Sequence, residues 1–222
     1  MIISHKHKFL FIGLPFSASS AISKELFLNY GGEPLLGKHS LYNEFKKTAS
    51  KKELDYFVFA VLRNPMDIVS SVYEKMKANE KGNFTNYKLF SENGGHITRR
   101  QREAFHYIHN CNANFQNFFE KFYKYPYDNL ASLTLESCDY IIRYENIAED
   151  YLTALKNAGV KCPKPLPTAN KTVGKKVDFE SYYSKEIKIR AISVFGPFLK
   201  KYHYSFPQSW GFMRVSLKNR LY

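Results

Sequence analysis

Tyr56-Phe-Val-Phe-Ala-Val-Leu62 is the segment that most narrows what this chain can fold into. It is aromatic or aliphatic at every position, with no charged or amide residue on either alternation. A strand with one wet face alternates polar and apolar, whereas a strand covered on both faces is apolar throughout, as in the interior of a parallel sheet. Arg63-Asn64-Pro65 stops the strand. Pro65 lacks only an N–H that a first helical turn leaves unbonded anyway, so a helix is predicted from there to about Lys77.

The remaining chain repeats this alternation. Phe9-Leu-Phe-Ile-Gly13 reads as a second buried strand before a Pro/Ser-rich turn. A helix capped by Ser19 or Ser20 follows, with Ile22, Leu26 and Phe27 on one face and Gly31-Gly32 as its stop. Leu41 to Lys47 reads as helix, and residues 78–95 as a polar, mobile loop. Helices are predicted near 97–110 and 114–123, then a strand at Cys138-Asp-Tyr-Ile-Ile-Arg143 and a helix from Ile147 to Asn157. Residues 163–178 are proline- and lysine-rich without periodicity, and a last helix covers about 184–201. There is no internal repeat. Strands alternating with helices predict a single three-layer α/β domain with a central parallel sheet flanked by helices.

Composition excludes several classes. The longest nearly unbroken apolar run, Phe9 to Phe16, is about half of a membrane span. Three widely spaced cysteines, Cys111, Cys138 and Cys162, offer no Cys-x-x-Cys pair and argue against a disulfide scaffold or zinc site. Met1 to Lys8 leaves no room for a signal peptide, so the sequons at Asn83 and Asn170 read as chance and the expected location is cytoplasmic. His106 and His109, three apart on a predicted helix, read as surface residues; no metal is expected. With 33 Lys+Arg against 20 Asp+Glu, the net charge of +13 favours anionic ligands. Nucleic acid, an anionic surface and a phosphorylated cofactor all satisfy it.

In sheets of this kind ligands bind at the carboxyl ends of the strands. The first strand runs into Gly13-Leu-Pro-Phe-Ser-Ala-Ser-Ser20, a turn that delivers backbone N–H groups of a helix N-terminus, and serine hydroxyls, to an anion. It lacks the Gly-Lys-Ser/Thr of an ATP-binding loop, which argues against a kinase. The second strand ends at Arg63, with Ser71 about two turns into the next helix; a guanidinium fork and a hydroxyl suit one phosphate. The third ends in Arg143-Tyr-Glu-Asn146, where Arg143 and Glu145 read as structural ion-pair partners and Asn146 as a helix N-cap.

Taken together, these pieces resemble the sulfotransferases that use 3′-phosphoadenosine 5′-phosphosulfate (PAPS), and among them the carbohydrate O-sulfotransferase branch and its bacterial relatives. The family's 5′-phosphosulfate loop is similar to Gly13-Leu-Pro-Phe-Ser-Ala-Ser-Ser-Ala21, its 3′-phosphate arginine and serine to Arg63 and Ser71, and its third block to Arg143-Tyr-Glu-Asn-Ile147. Leu166 to Thr172, Tyr182 to Glu186 and Phe195 to Pro207 resemble the end of that branch.

The resemblance implies transfer of a sulfuryl group from PAPS, leaving adenosine 3′,5′-bisphosphate (PAP), to a hydroxyl or amine of a small-molecule or glycan acceptor, without a metal, a membrane span or a nucleic-acid partner. It places the cofactor against Pro15, Phe16, Ser17, Ala18, Ser19, Ser20, Ala21, Arg63 and Ser71. Lys171, Thr172 and Lys175 lie in a covering loop at 163–178, and the acceptor side is expected at 78–125. His39, between the two nucleotide motifs, is the expected general base, since an unperturbed imidazole accepts a proton at neutral pH. One departure stands out: Phe16 occupies the place of the family's usual lysine. Lys38 is the first candidate to replace that cation and Lys24 the second. Without a replacement the chain would be a PAP-binding relative with impaired catalysis, and the rival class is a basic nucleic-acid-binding protein.

Overall fold

The computed structural model describes residues 1–127, 130–167, 172–176 and 178–211. In chain order its elements are β1 (Ile2–Ser4), β2 (Phe9–Ile12), α1 (Ser19–Asn29), β3 (Glu33–Pro34), α2 (Tyr42–Thr48), α3 (Lys51–Leu54), β4 (Phe57–Leu62), α4 (Pro65–Ala78), α5 (Arg99–Asn110), α6 (Phe115–Phe122), β5 (Tyr140–Arg143), α7 (Ile147–Asn157) and α8 (Lys188–Lys201), with short 3₁₀ segments between them. The chain divides into two compact units, Met1–Arg63 with Asn129–Asn170, and Asn64–Asp128 with Lys171–Tyr222.

The first unit holds a five-stranded sheet in the order β3-β1-β2-β4-β5. β2 with β4 and β4 with β5 pair in parallel, Phe59 standing opposite Phe11 on one side and Tyr140 on the other. Val58 to Leu62 are all buried, as the apolar run requires. The sheet is mixed rather than wholly parallel, because β1 pairs antiparallel with both β2 and β3. Ile2-Ile3 is a short apolar pair, and the Ser4-to-Phe9 turn folds it back along β2, with Lys8 in the left-handed region at φ 51°. Mixed sheets with antiparallel edges are common in α/β folds.

Helices α1 and α7 bury Ile22, Leu26, Tyr151, Ala154 and Leu155 against Phe9, Phe11, Phe59, Val61 and Ile142. Each fully buried aromatic or aliphatic side chain in that cluster is worth about 1.5–3 kcal/mol relative to exposure. Among the described residues the buried Tyr151 hydroxyl finds no hydrogen-bond partner, and burial raises its pKa.

The second unit is helical. α4, α5, α6 and α8 enclose a core rich in rings, including Tyr73, Phe105, Phe115, Phe118, Phe119, Tyr183 and Phe195. Tyr183 meets Phe115 and Phe119 edge-on at 5.0 and 5.6 Å between centroids, the geometry that ring quadrupoles favour. Residues 78–95, expected to be an irregular loop, contain two 3₁₀ turns, Tyr87–Leu89 and Ser91–Asn93. Gly95 donates its N–H to Phe90 O, and a Cβ on it would stand 2.1 Å from the carbonyl carbon and oxygen of Leu89, so the fold there accepts only glycine. α8 begins at Lys188 because Lys185–Ile187 is wound as 3₁₀.

Candidate functional site

β2 delivers the chain into the loop Gly13 to Ala18 within the first unit. Two of its residues, Phe16 and Ala18, have φ of 59° and 56°. Left-handed backbone costs a residue with a Cβ about 1–2 kcal/mol, and observed strain of this kind points toward function. α1 then starts at Ser19, so Ala18 stands at the N-cap in place of the expected Ser19 or Ser20, and among the described residues no side chain caps the helix. The Ala21 N–H is already bonded to Ala18 O, so the positive dipole end and the N–H groups of Ser19 and Ser20 are what the helix start presents to an acceptor. Ser17 is buried and its hydroxyl donates to Leu14 O at 2.7 Å, so it faces the backbone. Ser19 is buried and Ser20 exposed; Pro15, Phe16, Ala18 and Ala21 are half-buried.

The turn 37–40 is seated on this loop. Lys38 Nζ donates to Ser20 Oγ at 2.7 Å, bringing an ammonium to the uncapped start of α1. His39 Nδ1 lies 2.6 Å from Gly13 O. A carbonyl oxygen only accepts, so Nδ1 carries the proton, and in the neutral ring Nε2 is the unprotonated nitrogen. The approach is close: a Cβ on Gly13 would stand 3.1 Å from Lys38 O and 3.1 Å from the Ser19 Cβ. Both side chains of the turn are exposed, as is Lys24 farther along α1. Lys38 is thus brought to the loop from a different segment than Phe16, the position where the resemblance leads to the expectation of a lysine.

Arg63, at the end of β4, is 7% exposed. Its Nη1 donates to Phe16 O at 2.7 Å, and its guanidinium stacks 4.1 Å from the Tyr144 ring centroid. It therefore braces the strained loop, at the very residue where the cation is missing. Tyr144 is a partner that the sequence reading did not single out; its place directly after β5, in register with the end of β4, is the signal that could have found it. Beyond it, Asn146 does not cap α7 with its side chain; it donates to Asp150 Oδ1, and Asp150 Oδ2 accepts the Arg143 N–H.

In the second unit, Ser71 lies on α4, fully buried, and its hydroxyl donates to Asp67 O. Ser70 does the same. Lys175 is ion-paired with Asp67 Oδ1, both side chains being largely buried. The Lys176 N–H donates to Tyr182 OH, which donates to Glu74 Oε1; burial, with Glu74 beside it, pushes that phenol up to about 12. Asp67 and Glu74 are likewise absent from the sequence reading. Thr172 accepts the Lys175 N–H with its carbonyl. Lys171 lies outside the described residues. His109 Nε2–H donates to Met76 O and its ring packs on Phe105 at 4.4 Å, a structural setting.

Among the described residues, no group of three or more His, Cys, Asp or Glu side chains could hold a metal ion, and no helix is long and apolar enough to cross a membrane. Searches of curated proteins and of solved structures return no match. A family model does match, over residues 1–185, and it takes in the strained loop, the 37–40 turn, Arg63, Ser71 and the 172–176 segment: the chain belongs to the sulfotransferase family.

Proposed function

We propose that the chain moves a sulfuryl group from PAPS to a hydroxyl or amine of a small-molecule or glycan acceptor, with His39 as general base and Lys38 as the cation at the 5′-phosphate. The observation that carries this reading is the 37–40 turn on the strained loop, which puts Lys38 Nζ on Ser20 Oγ and His39 Nδ1 on Gly13 O. An uncapped helix start, an ammonium and a hydroxyl form a donor set that fits a phosphate or sulfate oxygen. Bound there, PAPS would supply the sulfuryl group and a 5′-phosphate oxygen as leaving group.

The chain's own residues divide the remaining work. Nε2 of His39 takes the proton from the acceptor, its tautomer fixed by the bond to Gly13 O. Lys38 and the N–H groups of Ser19 and Ser20 at the start of α1 stabilise negative charge gathering on the leaving oxygen. Arg63 holds the loop through Phe16 O, and the family resemblance assigns Arg63 and Ser71 to the 3′-phosphate. The same resemblance assigns Thr172 and Lys175 to the cofactor and 78–125 to the acceptor.

The test is thermal stabilisation by PAP, in wild type and in Arg63→Ala and Ser71→Ala. A ligand that binds only the native state adds RT ln(1 + [L]/Kd), about 2.7 kcal/mol at one hundred times Kd. A clear shift in wild type that both variants lose is expected. No shift at millimolar PAP overturns the reading. It would turn attention to nucleic acid and to the second unit, where Lys and Arg outnumber Asp and Glu by 20 to 10, against 13 to 10 in the first.

A further inference from the structure

Asp67, Ser71 and Glu74 stand at i, i+4 and i+7 on α4 and so form one stripe along the helix. Two adjacent residues of segment 172–176 tie it to that stripe, Lys175 directly and Lys176 through Tyr182. Lys175 Nζ is ion-paired with Asp67 Oδ1, the two side chains being 14% and 12% exposed. Lys176 N–H donates at 3.0 Å to Tyr182 OH, which donates at 2.8 Å to Glu74 Oε1. Gly174 passes so close that a Cβ on it would stand 3.2 Å from Glu74 Oε2. Ser71 sits between the two acids, fully buried, with its hydroxyl on Asp67 O.

The acid that neutralises Lys175 is therefore about one helical turn from the serine assigned to a phosphate. Its carboxylate has two opposed effects. It keeps the Lys175 ammonium over the Ser71 stripe in the absence of any ligand, and it occupies the ammonium that an incoming anion needs. A phosphate dianion has the charge to draw an ammonium from a carboxylate; a hydroxyl at the same place does not.

We propose that Asp67 is a built-in competitor for the Lys175 ammonium, setting both the affinity of the Ser71 stripe and its preference for a phosphate dianion. Binding exchanges one counter-ion of Lys175 for another, with no bond made or broken. The inference rests on the nucleotide reading above. It goes beyond that reading by assigning a residue that opposes binding.

The experiment is a four-way comparison of PAP affinity by calorimetry: wild type, Asp67→Asn, Lys175→Met and the double variant. Asp67→Asn is expected to bind PAP about tenfold more tightly than wild type. In the Lys175→Met background the same change is expected to alter affinity less than twofold, because no ammonium is left to compete for. Equal tightening in both backgrounds would show plain repulsion and overturn the competitor role. So would an Asp67→Asn that binds no more tightly than wild type. If Asp67→Asn takes the carboxylate from this largely buried ammonium and fails to fold, the double variant buries neither charge and carries the test against Lys175→Met; a fivefold or larger difference between those two overturns the proposal. Wild type without measurable PAP affinity sinks the nucleotide reading itself, an outcome distinct from a binding wild type that Asp67→Asn does not change.

Discussion

Replacing Lys38 by methionine removes the ammonium from the start of α1 while keeping the length of the side chain. Two unit charges about 4 Å apart attract by roughly 4 kcal/mol at an effective dielectric constant of about 20. With roughly half a charge gathered on the leaving oxygen, the ammonium is worth about 2 kcal/mol, or some thirtyfold in rate. Lys38 is exposed, so water and salt trim the attraction, and the absence of a family lysine at Phe16 raises the dependence on it. The expected loss is about 10- to 100-fold in kcat. The assay needs no acceptor: slow release of PAP from PAPS into water is followed by ion-pair chromatography, with PAP thermal stabilisation run alongside to confirm that the nucleotide still binds. Phe16→Lys placed on top of Lys38→Met is expected to restore part of the loss, since that position already carries a Cβ in left-handed backbone. A Lys38→Met enzyme within threefold of wild type, with binding intact, would refute the reasoning and remove Lys38 from the chemistry.

Three further expectations follow from the same geometry. His39→Ala should leave PAP stabilisation within a degree or so of wild type while lowering sulfuryl transfer to acceptors by about 10²–10⁴, measured with labelled PAPS against a panel of glycans and phenols; loss of PAP binding would instead make His39 a support for the loop. Burial pushes the Cys138 thiol up to about 12, whereas Cys111 and Cys162 are exposed, so the native protein at pH 8 should titrate two thiols quickly with a disulfide reagent and the third only on unfolding. Burial, and then the charge of Lys6, lower the His7 pKa below its ordinary 6.5. The unfolded chain then binds more protons than the fold just below pH 6.5, so His7 makes stability fall as pH drops through that window; His7→Gln should flatten the melting-temperature profile from pH 7 to 5.

The parts of the fold legible from sequence were those with a strong local pattern. β4 was visible because no position in it is polar, and α7 because its buried Tyr151, Ala154 and Leu155 fall at helical spacing. The hairpin of β1 was not, since Ile2-Ile3 is too short to show a period. The cap of α1 was misplaced because serine is favoured at that position, and a left-handed alanine there has no sequence signal. The contacts that organise the candidate site are long-range: Asp67 and Lys175 are 108 residues apart, and His39 reaches Gly13 across 26. Motif order put Lys38 and His39 on the page, but only the fold brings them to the loop.

The division of the chain has a consequence for how the protein is made. The first unit is interrupted: β4 ends at Leu62, and its neighbour β5 does not begin until Tyr140. In a growing chain, β4 would therefore stand at a sheet edge for the whole time that residues 64–128 are being synthesised. That edge is uncharged and apolar on both faces, the kind of strand that recruits another chain when left unpaired. Until β5 emerges and closes it, a nascent chain has more to gain from early burial in a chaperone than its stable final fold would suggest.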